Sequence, residues 1–285
     1  MVIDIHTHTF PEKIAARTID SLSHAAHLLP HTDATNQGLL SSMEKAGVDM
    51  SVVLPVATSA RQVEKVNDAS ARLNLEFPGK LVSFGCMHPD HENWYEELGR
   101  IKELGLPGIK VHPVYQGVDI DDVRFLRIFD RAAQLGLAVI THAGLDIGFP
   151  GVVHCSPQMC RHVVEKVGEF RLILAHMGGW KNWEEVPQEL AGTGVYLDTA
   201  FSTGVFHPMQ DGYWREEETE MMNAEQFMKL VRAFGADRIL YGSDSPWSPQ
   251  AEGLAFLRSL PLAAKELDMI LGENALPFLQ QGSPY

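Results

Sequence analysis

The sequence lacks most features of secreted, membrane-bound and nucleotide-binding proteins. Its three cysteines have no CxxC spacing, which favours reduced thiols over a disulfide framework or a zinc knuckle. No apolar run approaches the roughly 20 residues that cross a bilayer, and no basic segment precedes an apolar one at the N-terminus, as in a signal peptide. The GxxxxGK[ST] phosphate loop is absent as well. We therefore expect a cytoplasmic protein.

Positive charge is also scarce. The 285 residues include 23 Lys and Arg against 37 Asp and Glu, which gives a formal net charge of -14. This balance opposes binding to nucleic acid or to an anionic membrane surface, because both depend on positive patches. With 45% hydrophobic residues, the chain can bury a large core. These properties favour an enzyme that acts on a small-molecule substrate.

Short apolar runs rich in β-branched residues recur along the whole chain and alternate with helical segments. The alternation predicts parallel βα units with right-handed crossovers. We expect a (β/α)₈ TIM barrel in one domain, residues 1–285, because this fold needs about 250 residues; a doubly wound open sheet is the alternative. The runs are VIDIHTH from residue 2, SVVLPV from 51, LVSFGCMH from 81, GIKVHP from 108, LAVITHAG from 137, RLILAHMGG from 171, GVYLDTA from 194 and RILYGSDSPW from 238.

Two segments between the runs, residues 60–77 and 121–135, have the spacing of amphipathic helices. The second begins with acidic residues and is followed by Gly136, as helices often are. The predicted apolar faces comprise Val63, Val66, Leu73 and Phe77 in the first segment and Val123, Leu126, Phe129 and Ala133 in the second.

Two longer connections, residues 24–37 and 201–222, interrupt this alternation. Each follows the C-terminal end of a predicted strand, so in a barrel both would border the active-site mouth. Long connections inside a compact domain tend to be functional lids or disordered.

Polar residues that can bind a metal occur at the ends of several runs. His6 and His8 are two residues apart on one strand, so their side chains project from the same face about 7 Å apart. The chain places His142, His176 and Asp244 at the ends of later runs. Imidazoles with one carboxylate suit Zn²⁺, with Mn²⁺, Fe²⁺ or Co²⁺ as alternatives. The competing interpretation is that backbone groups and buried water satisfy all five side chains.

The ordered motifs resemble the amidohydrolase superfamily, and in particular its branch of amidohydrolase-related proteins that contains aminocarboxymuconate-semialdehyde decarboxylase. The resemblance extends over the whole chain and implies a metal-dependent TIM barrel. Barrels of this branch often pair, so it also implies a homodimer as one oligomeric state. The motifs are DIHTHTFP at the start, ITHAG and LAHMGGW in the middle, YGSDSPW after them and GENALPFL near the end.

The resemblance implies that His6, His8, His142 and Asp244 hold one divalent ion. His176 would contact the metal-bound water or the substrate oxygen, or bind a second ion. A cation lowers the pKa of bound water, and a carboxylate beside that water can shuttle its proton. We therefore expect Asp244 to act as ligand and proton shuttle, and His176 to orient or polarise the electrophile.

Four further residues are candidates for binding substrate. Lys110 and His112 share a strand face, and Lys110 either binds a substrate carboxylate or, as in some superfamily members, is carboxylated and bridges two metals. Arg61 could pair with a substrate anion, with a solvated surface position as the alternative. Trp247 either walls the pocket or packs a loop against a helix.

Two reactions fit this set of residues. The first is hydrolysis, in which a metal-activated water attacks an ester, lactone or amide carbonyl of a small substrate that can also carry a carboxylate. The alternative is a lyase reaction, the non-oxidative decarboxylation of an aromatic or unsaturated acid at the same metal site. A barrel that binds a ligand without catalysis is a third interpretation, against which the intact set of five residues argues. We expect hydrolysis.

Overall fold

A computed structural model describes residues 1–280 as parallel strands surrounded by helices. Every pair of adjacent strands is parallel, as strand–helix–strand connections require. The strands are β1 (Ile3–Thr7), β2 (Met50–Val53), β3 (Leu81–Ser83), β4 (Gly85–Cys86), β5 (Gly108–Val111), β6 (Ala138–Thr141), β7 (Leu172–Leu174), β8 (Tyr196–Asp198) and β9 (Ile239–Leu240).

The strands form two sheets, β1–β2–β3 and β4 to β9 in sequence order. Only Phe84 separates β3 from β4, and its N–H donates to the Val53 carbonyl at 3.1 Å, within the normal range for such bonds. At the opposite edges of the two sheets, the Ile5 N–H of β1 donates to the carbonyl of Tyr241, which follows β9, at 2.9 Å. The two sheets thus continue into one another, with β3 and β4 as a single interrupted strand. The predicted TIM-barrel fold is confirmed.

Helices follow the strands and cover the outside of the sheet. They are α1 (Glu12–Ala26), α2 (Asn36–Ala46), α3 (Val63–Glu76), α4 (Trp94–Glu103), α5 (Pro113–Gln116), α6 (Val123–Gln134), α7 (Pro157–Val167), α8 (Val186–Leu190), α9 (Ala224–Phe234), α10 (Gln250–Ser259) and α11 (Ala264–Leu271). Among residues 1–280, none of them combines the length and the hydropathy that crossing a membrane requires.

The two predicted helices correspond to α3 and α6, but the predicted apolar face of α6 is partly wrong. Val123 is 72% exposed, because Asp122 caps the helix and Val123 occupies its first turn, away from the core. The buried face is rotated toward Phe125, Ile128, Phe129 and Ala132. In α3, Val63 is buried as predicted, and the polar side chains of Asn67 and Ser70 are buried beside it.

An irregularity in β1 turns the first metal-ligand candidate into the barrel. The register between β1 and β2 shifts between Asp4 and Thr7. Ile5 belongs to the apolar cluster inside the barrel, yet the next residue, His6, contacts Lys110 and Asp198 of other barrel strands. Neighbours on a regular strand face opposite sides, so a bulge is what brings both inward.

The interior of the barrel is apolar at one end and polar at the other. Its apolar part includes Ile3, Phe84 and Ile140, and the C-terminal segment closes it with Ala275 and Phe278. The strands end in polar residues at the opposite end, which we call the mouth. Active sites of TIM barrels lie at this carboxyl end of the strands.

The two long connections lie together beside the mouth. An isolated antiparallel bridge joins Leu28 to Pro208, and a cluster of apolar side chains packs residues from both connections against Trp180. The predicted domain, residues 1–285, extends into residues 281–285, which lie outside the described part of the chain.

Candidate metal centre at the barrel mouth

Three predicted metal ligands converge at the mouth. Asp244 Oδ1 lies 3.4 Å from His6 Nε2 and 3.1 Å from His8 Nε2, and the two imidazole nitrogens are 3.2 Å apart. Two nitrogens that bind one zinc ion at about 2.1 Å in tetrahedral geometry lie about 3.4 Å apart. The spacing of these atoms therefore suits a single cation.

Hydrogen bonds on the far side of each ring orient the two histidines. His6 Nδ1 lies 2.8 Å from the Asp198 carboxylate, and His8 Nδ1 lies 2.8 Å from the Leu54 carbonyl. Since both partners are acceptors, each Nδ1 carries the hydrogen and each Nε2 offers a lone pair toward Asp244. Metal-binding histidines have this arrangement, with the second nitrogen donating to a carboxylate or a backbone carbonyl.

The other two predicted histidines form an adjoining pair. His176 Nε2 lies 3.0 Å from His142 Nδ1, and the rings of His6 and His176 are 5.3 Å apart. His176 Nδ1 donates to the Ala200 carbonyl at 2.8 Å, while His142 Nε2 donates to the Leu145 carbonyl at 3.0 Å. When both rings are neutral, two lone pairs face each other, an arrangement that a cation stabilises.

His142 also belongs to a second group of possible ligands. Its Nε2 lies 3.9 Å from the Asp146 carboxylate, and His112 Nε2 lies 3.4 Å from the same oxygen. The ligand atoms of His112, His142 and Asp146 fall within 4.8 Å of one another, as do those of the first group, His6, His8 and Asp244. His142 thus lies between the two groups.

Burial sets the protonation states of these side chains. Burial, together with the Lys110 charge, lowers the pKa of His6 far below its ordinary value. Burial and the facing His176 ring lower the pKa of His142 in the same way. Burial alone would raise the pKa of Asp244, but its hydrogen bond with His8 and the neighbouring imidazoles hold it below the ordinary value. Neutral imidazoles beside an anionic carboxylate are a donor set that fits a divalent cation.

The backbone at two of these residues is strained. His176 has φ 58° and Asp244 has φ 67°, a left-handed conformation that costs about 1–3 kcal/mol for residues other than glycine. The His176 N–H donates to Asp198 Oδ1 at 3.0 Å, and the Asp244 N–H donates to the His6 carbonyl at 2.9 Å. The surrounding hydrogen bonds hold both side chains in place at the mouth.

Lys110 lies in direct contact with the first group. It is 1% exposed, and its Nζ is 3.4 Å from His6 Nε2. Burial lowers its pKa to about 8, although Asp198 and Asp244 oppose the shift. The amine is therefore close enough to interact with any molecule that approaches the cluster.

The remaining substrate-binding candidates lie in different places. His112 is buried and stacks on His142 at 4.3 Å, so it borders the mouth. Trp247 follows Asp244 and packs against the apolar cluster of the long connections. Arg61 is exposed in a short 3-10 helix, Ala60–Gln62. It takes no part in the hydrogen bonds that join the histidines and aspartates of the mouth.

Sequence reasoning missed two aspartates. Asp198 ends β8 and is fully buried, where it accepts hydrogen bonds from His6 and from two backbone N–H groups. A polar residue at the end of an apolar run is the pattern that predicts His142 and Asp244. Asp198 shows the same pattern in the run GVYLDTA. Asp146 lies in a loop after β6 and has no such signal.

A model of the Amidohydrolase family matches residues 3–280 of the chain. The chain is also 25% identical over 238 residues to 2-amino-3-carboxymuconate-6-semialdehyde decarboxylase from Dictyostelium discoideum. This match covers 75% of the chain and 65% of the relative, so it spans slightly less than two thirds of the relative's length.

Solved structures resemble the whole barrel. One is an uncharacterised TIM-barrel protein from Bordetella bronchiseptica, with a TM-score of 0.74, 18% identity and 98% of each chain covered. Another is 5-carboxyvanillate decarboxylase from Novosphingobium aromaticivorans, in complex with manganese and 4-hydroxy-3-methoxy-5-nitrobenzoic acid. It has a TM-score of 0.71 and 14% identity, with 98% of this chain and 96% of that one covered.

These similarities contradict the predicted hydrolysis of an ester, lactone or amide. The relative from Dictyostelium discoideum and the structure from Novosphingobium aromaticivorans are both decarboxylases, which favours the alternative reaction. The error has a physical reason, because both reactions use a divalent ion held at the same strand ends. The motifs predict the ligands, whereas the reaction depends on the substrate groups that the loops admit.

Proposed function

We propose that this chain, which belongs to the amidohydrolase family, is a metal-dependent decarboxylase of a small aromatic or unsaturated carboxylic acid. The observation that carries the proposal is the convergence of His6, His8 and Asp244 at the mouth, in a chain whose named relatives are decarboxylases. The aromatic and apolar side chains beside the mouth suit a planar, largely apolar substrate.

His6, His8 and Asp244 would hold one divalent ion, and His142, which adjoins them through His176, would supply the fourth ligand. Zn²⁺ and Mn²⁺ both accept imidazole and carboxylate ligands, and manganese occurs in the similar structure from Novosphingobium aromaticivorans. When bound, the ion supplies positive charge that attracts the substrate's oxygens and stabilises negative charge as it develops.

Asp244 is the group that moves the proton. Its carboxylate takes a proton from an acidic hydroxyl of the substrate or from solvent and transfers it to the carbon that bears the carboxylate. The bond between this carbon and the carboxyl carbon then breaks, CO₂ leaves, and the electron pair of the bond stays on the substrate. Asp244 is 8% exposed, so bulk water does not compete freely for this proton.

The neighbouring side chains would position the substrate. Lys110 can pair with the departing carboxylate through its buried amine, and His176 can orient a substrate oxygen through Nε2. His112, stacked on His142, and Trp247 would contact the substrate's ring or double bond. Arg61 is exposed, so its proposed role is to bind the substrate's anionic group at the surface before the substrate reaches the mouth.

Two further properties are proposals as well. We propose a single domain over residues 1–285, supported by a family match that spans residues 3–280.

We also propose a homodimer as one oligomeric state, which sedimentation of the purified chain would test.

The proposal is tested by CO₂ release. Metal-depleted protein would be reloaded with Zn²⁺ or Mn²⁺ and incubated with hydroxylated benzoic acids and conjugated unsaturated acids. We expect CO₂ from at least one acid, only with metal present. An absence of CO₂ across both classes, from protein with a full metal complement, would overturn the proposal.

A further inference from the structure

A third group of possible metal ligands lies outside the mouth, and the proposed reaction does not use it. It comprises Glu64 in α3, His91 in the segment between β4 and α4, and Glu97 in α4. One ligand atom from each lies within 4.8 Å of the others. We call these three residues the rim group.

The imidazole of His91 is the unusual member. The residue is 8% exposed, and its Nδ1 lies 3.2 Å from the Ala60 carbonyl. Because that carbonyl only accepts, Nδ1 carries the hydrogen and Nε2 has a lone pair. Nε2 is buried without a hydrogen-bond partner, and it lies 3.8 Å from Glu64 Oε1. Buried polar atoms of this kind are uncommon and call for a partner.

The carboxylate of Glu97 is held in position from the opposite side. Glu97 is 4% exposed and accepts from Asn67 Nδ2 at 2.6 Å and from Arg100 Nη2 at 2.8 Å through Oε1. Its Oε2 accepts one further bond, from Arg100 Nε at 2.7 Å, which leaves one lone pair of Oε2 free. Ligating carboxylates are typically fixed by hydrogen bonds in this way.

The charges around the rim group favour a cation. Glu64, Asp68 and Glu97 are acidic, and Arg100 pairs with Asp68 and Glu97 but forms no ion pair with Glu64 among the described contacts. A divalent ion would add positive charge beside the Glu64 and Glu97 carboxylates. The Glu64 side chain is 62% exposed, so it is free to rotate and shorten its distance to His91 Nε2.

We propose that His91, Glu64 and Glu97 bind a second divalent cation, Zn²⁺, that ties the start of α3 to the start of α4. One imidazole and two carboxylates are ligands that zinc accepts, with water completing the coordination. The site is separate from the mouth and does not depend on the decarboxylase proposal. A protonated His91 that pairs with Glu64 is the competing arrangement, and it needs no metal.

The test uses the double variant His6→Ala with Asp244→Asn, which removes the His6 ligand and the negative charge of Asp244 from the mouth. After chelation, this protein would be titrated with Zn²⁺ by calorimetry. We expect this protein to bind one zinc equivalent more than the same protein with His91→Ala added. Addition of Glu64→Gln instead should weaken binding at least about tenfold, as loss of a metal-site partner typically does. Glu76→Gln is the matched control, because Glu76 is an exposed glutamate of the same helix.

Two results would overturn the proposal. The double variant could bind no zinc, or it could bind zinc with the same stoichiometry and affinity after His91→Ala and Glu64→Gln. Circular dichroism would verify that each variant is folded. If His91→Ala fails to fold, the exposed Glu64→Gln decides, and unchanged zinc affinity in that variant contradicts the site.

Discussion

The two ends of the barrel interior are equally buried but chemically opposite. Ile3 and Phe278 at the closed end are 0% and 2% exposed, and His6 and Lys110 at the mouth are both 1% exposed. Burial of apolar side chains stabilises the fold, whereas burial of ionisable groups opposes it unless they are paired. The ionisable groups at the mouth therefore lower the stability of the fold, and such groups are typical of functional sites.

This contrast predicts a separation of effects. Variants at the mouth should lose activity or metal while the fold stays intact, and variants at the closed end should lose stability while the metal site stays intact. Substitutions at Asp244, Phe278, Asp198 and Lys110 can test this separation.

The largest effect is expected for Asp244→Asn. The variant keeps the shape of the side chain but loses the negative charge and the proton acceptor, so kcat should fall at least about a thousandfold, or about 4 kcal/mol. CO₂ release measures the loss, with metal content and the unfolding midpoint as controls. Turnover within tenfold of the native rate would show that Asp244 does not move the proton.

The second prediction concerns the closed end. Phe278→Ala removes a buried ring that packs against Tyr196, and we expect the free energy of unfolding to fall by about 3–5 kcal/mol. Chemical denaturation measures this change. Val123→Ala, at an exposed position, is the control and should change stability by less than about 0.5 kcal/mol. Loss of metal from folded Phe278→Ala protein would show that the two ends are not independent.

Part of this contrast could be predicted from the sequence. A polar residue at the end of a buried apolar run has a cost, and this rule identifies His142, His176 and Asp244 from the sequence alone. The same rule applies to Asp198 in the run GVYLDTA, which is absent from the predicted site residues. Asp146 could not be found, because it lies in a loop whose path depends on tertiary contacts.

The third prediction concerns Asp198, which orients the proposed metal ligand His6. In Asp198→Asn, an amide N–H₂ would replace one of two oxygens that accept from His6 and from backbone N–H groups. We expect metal affinity to fall about 10–100-fold, measured by titration of metal-free protein, with little change in CO₂ release at saturating metal. Unchanged affinity would mean that the orientation of His6 does not depend on Asp198.

Other errors of the sequence interpretation have local causes. The α6 face was misplaced because Val123 fits the helical period but lies in the first turn, which the core does not reach. The bulge in β1 is a feature that the sequence does not predict, since only the pairing with β2 reveals that Ile5 and His6 both face inward. The predicted reaction, hydrolysis, was wrong because the motifs that predict metal ligands do not determine the substrate.

The smallest effect is expected for Lys110→Met, which removes the buried amine and keeps most of the side-chain volume. KM for the acid should rise about tenfold, the loss of one charge-assisted contact, and the mouth should still bind one metal equivalent. Steady-state kinetics and metal analysis measure both quantities. Loss of a second metal equivalent from the mouth would instead indicate that Lys110 is carboxylated and bridges two ions.

Decarboxylation is distinguished from hydrolysis most directly by the isotopic composition of the product that metal-loaded protein forms in D₂O. Decarboxylation predicts a product that has lost its carboxyl group and carries one deuteron on the carbon to which that group was attached. A product that retains its carboxyl carbon and has gained the elements of water would contradict decarboxylation, because it would identify hydrolysis at the same metal centre.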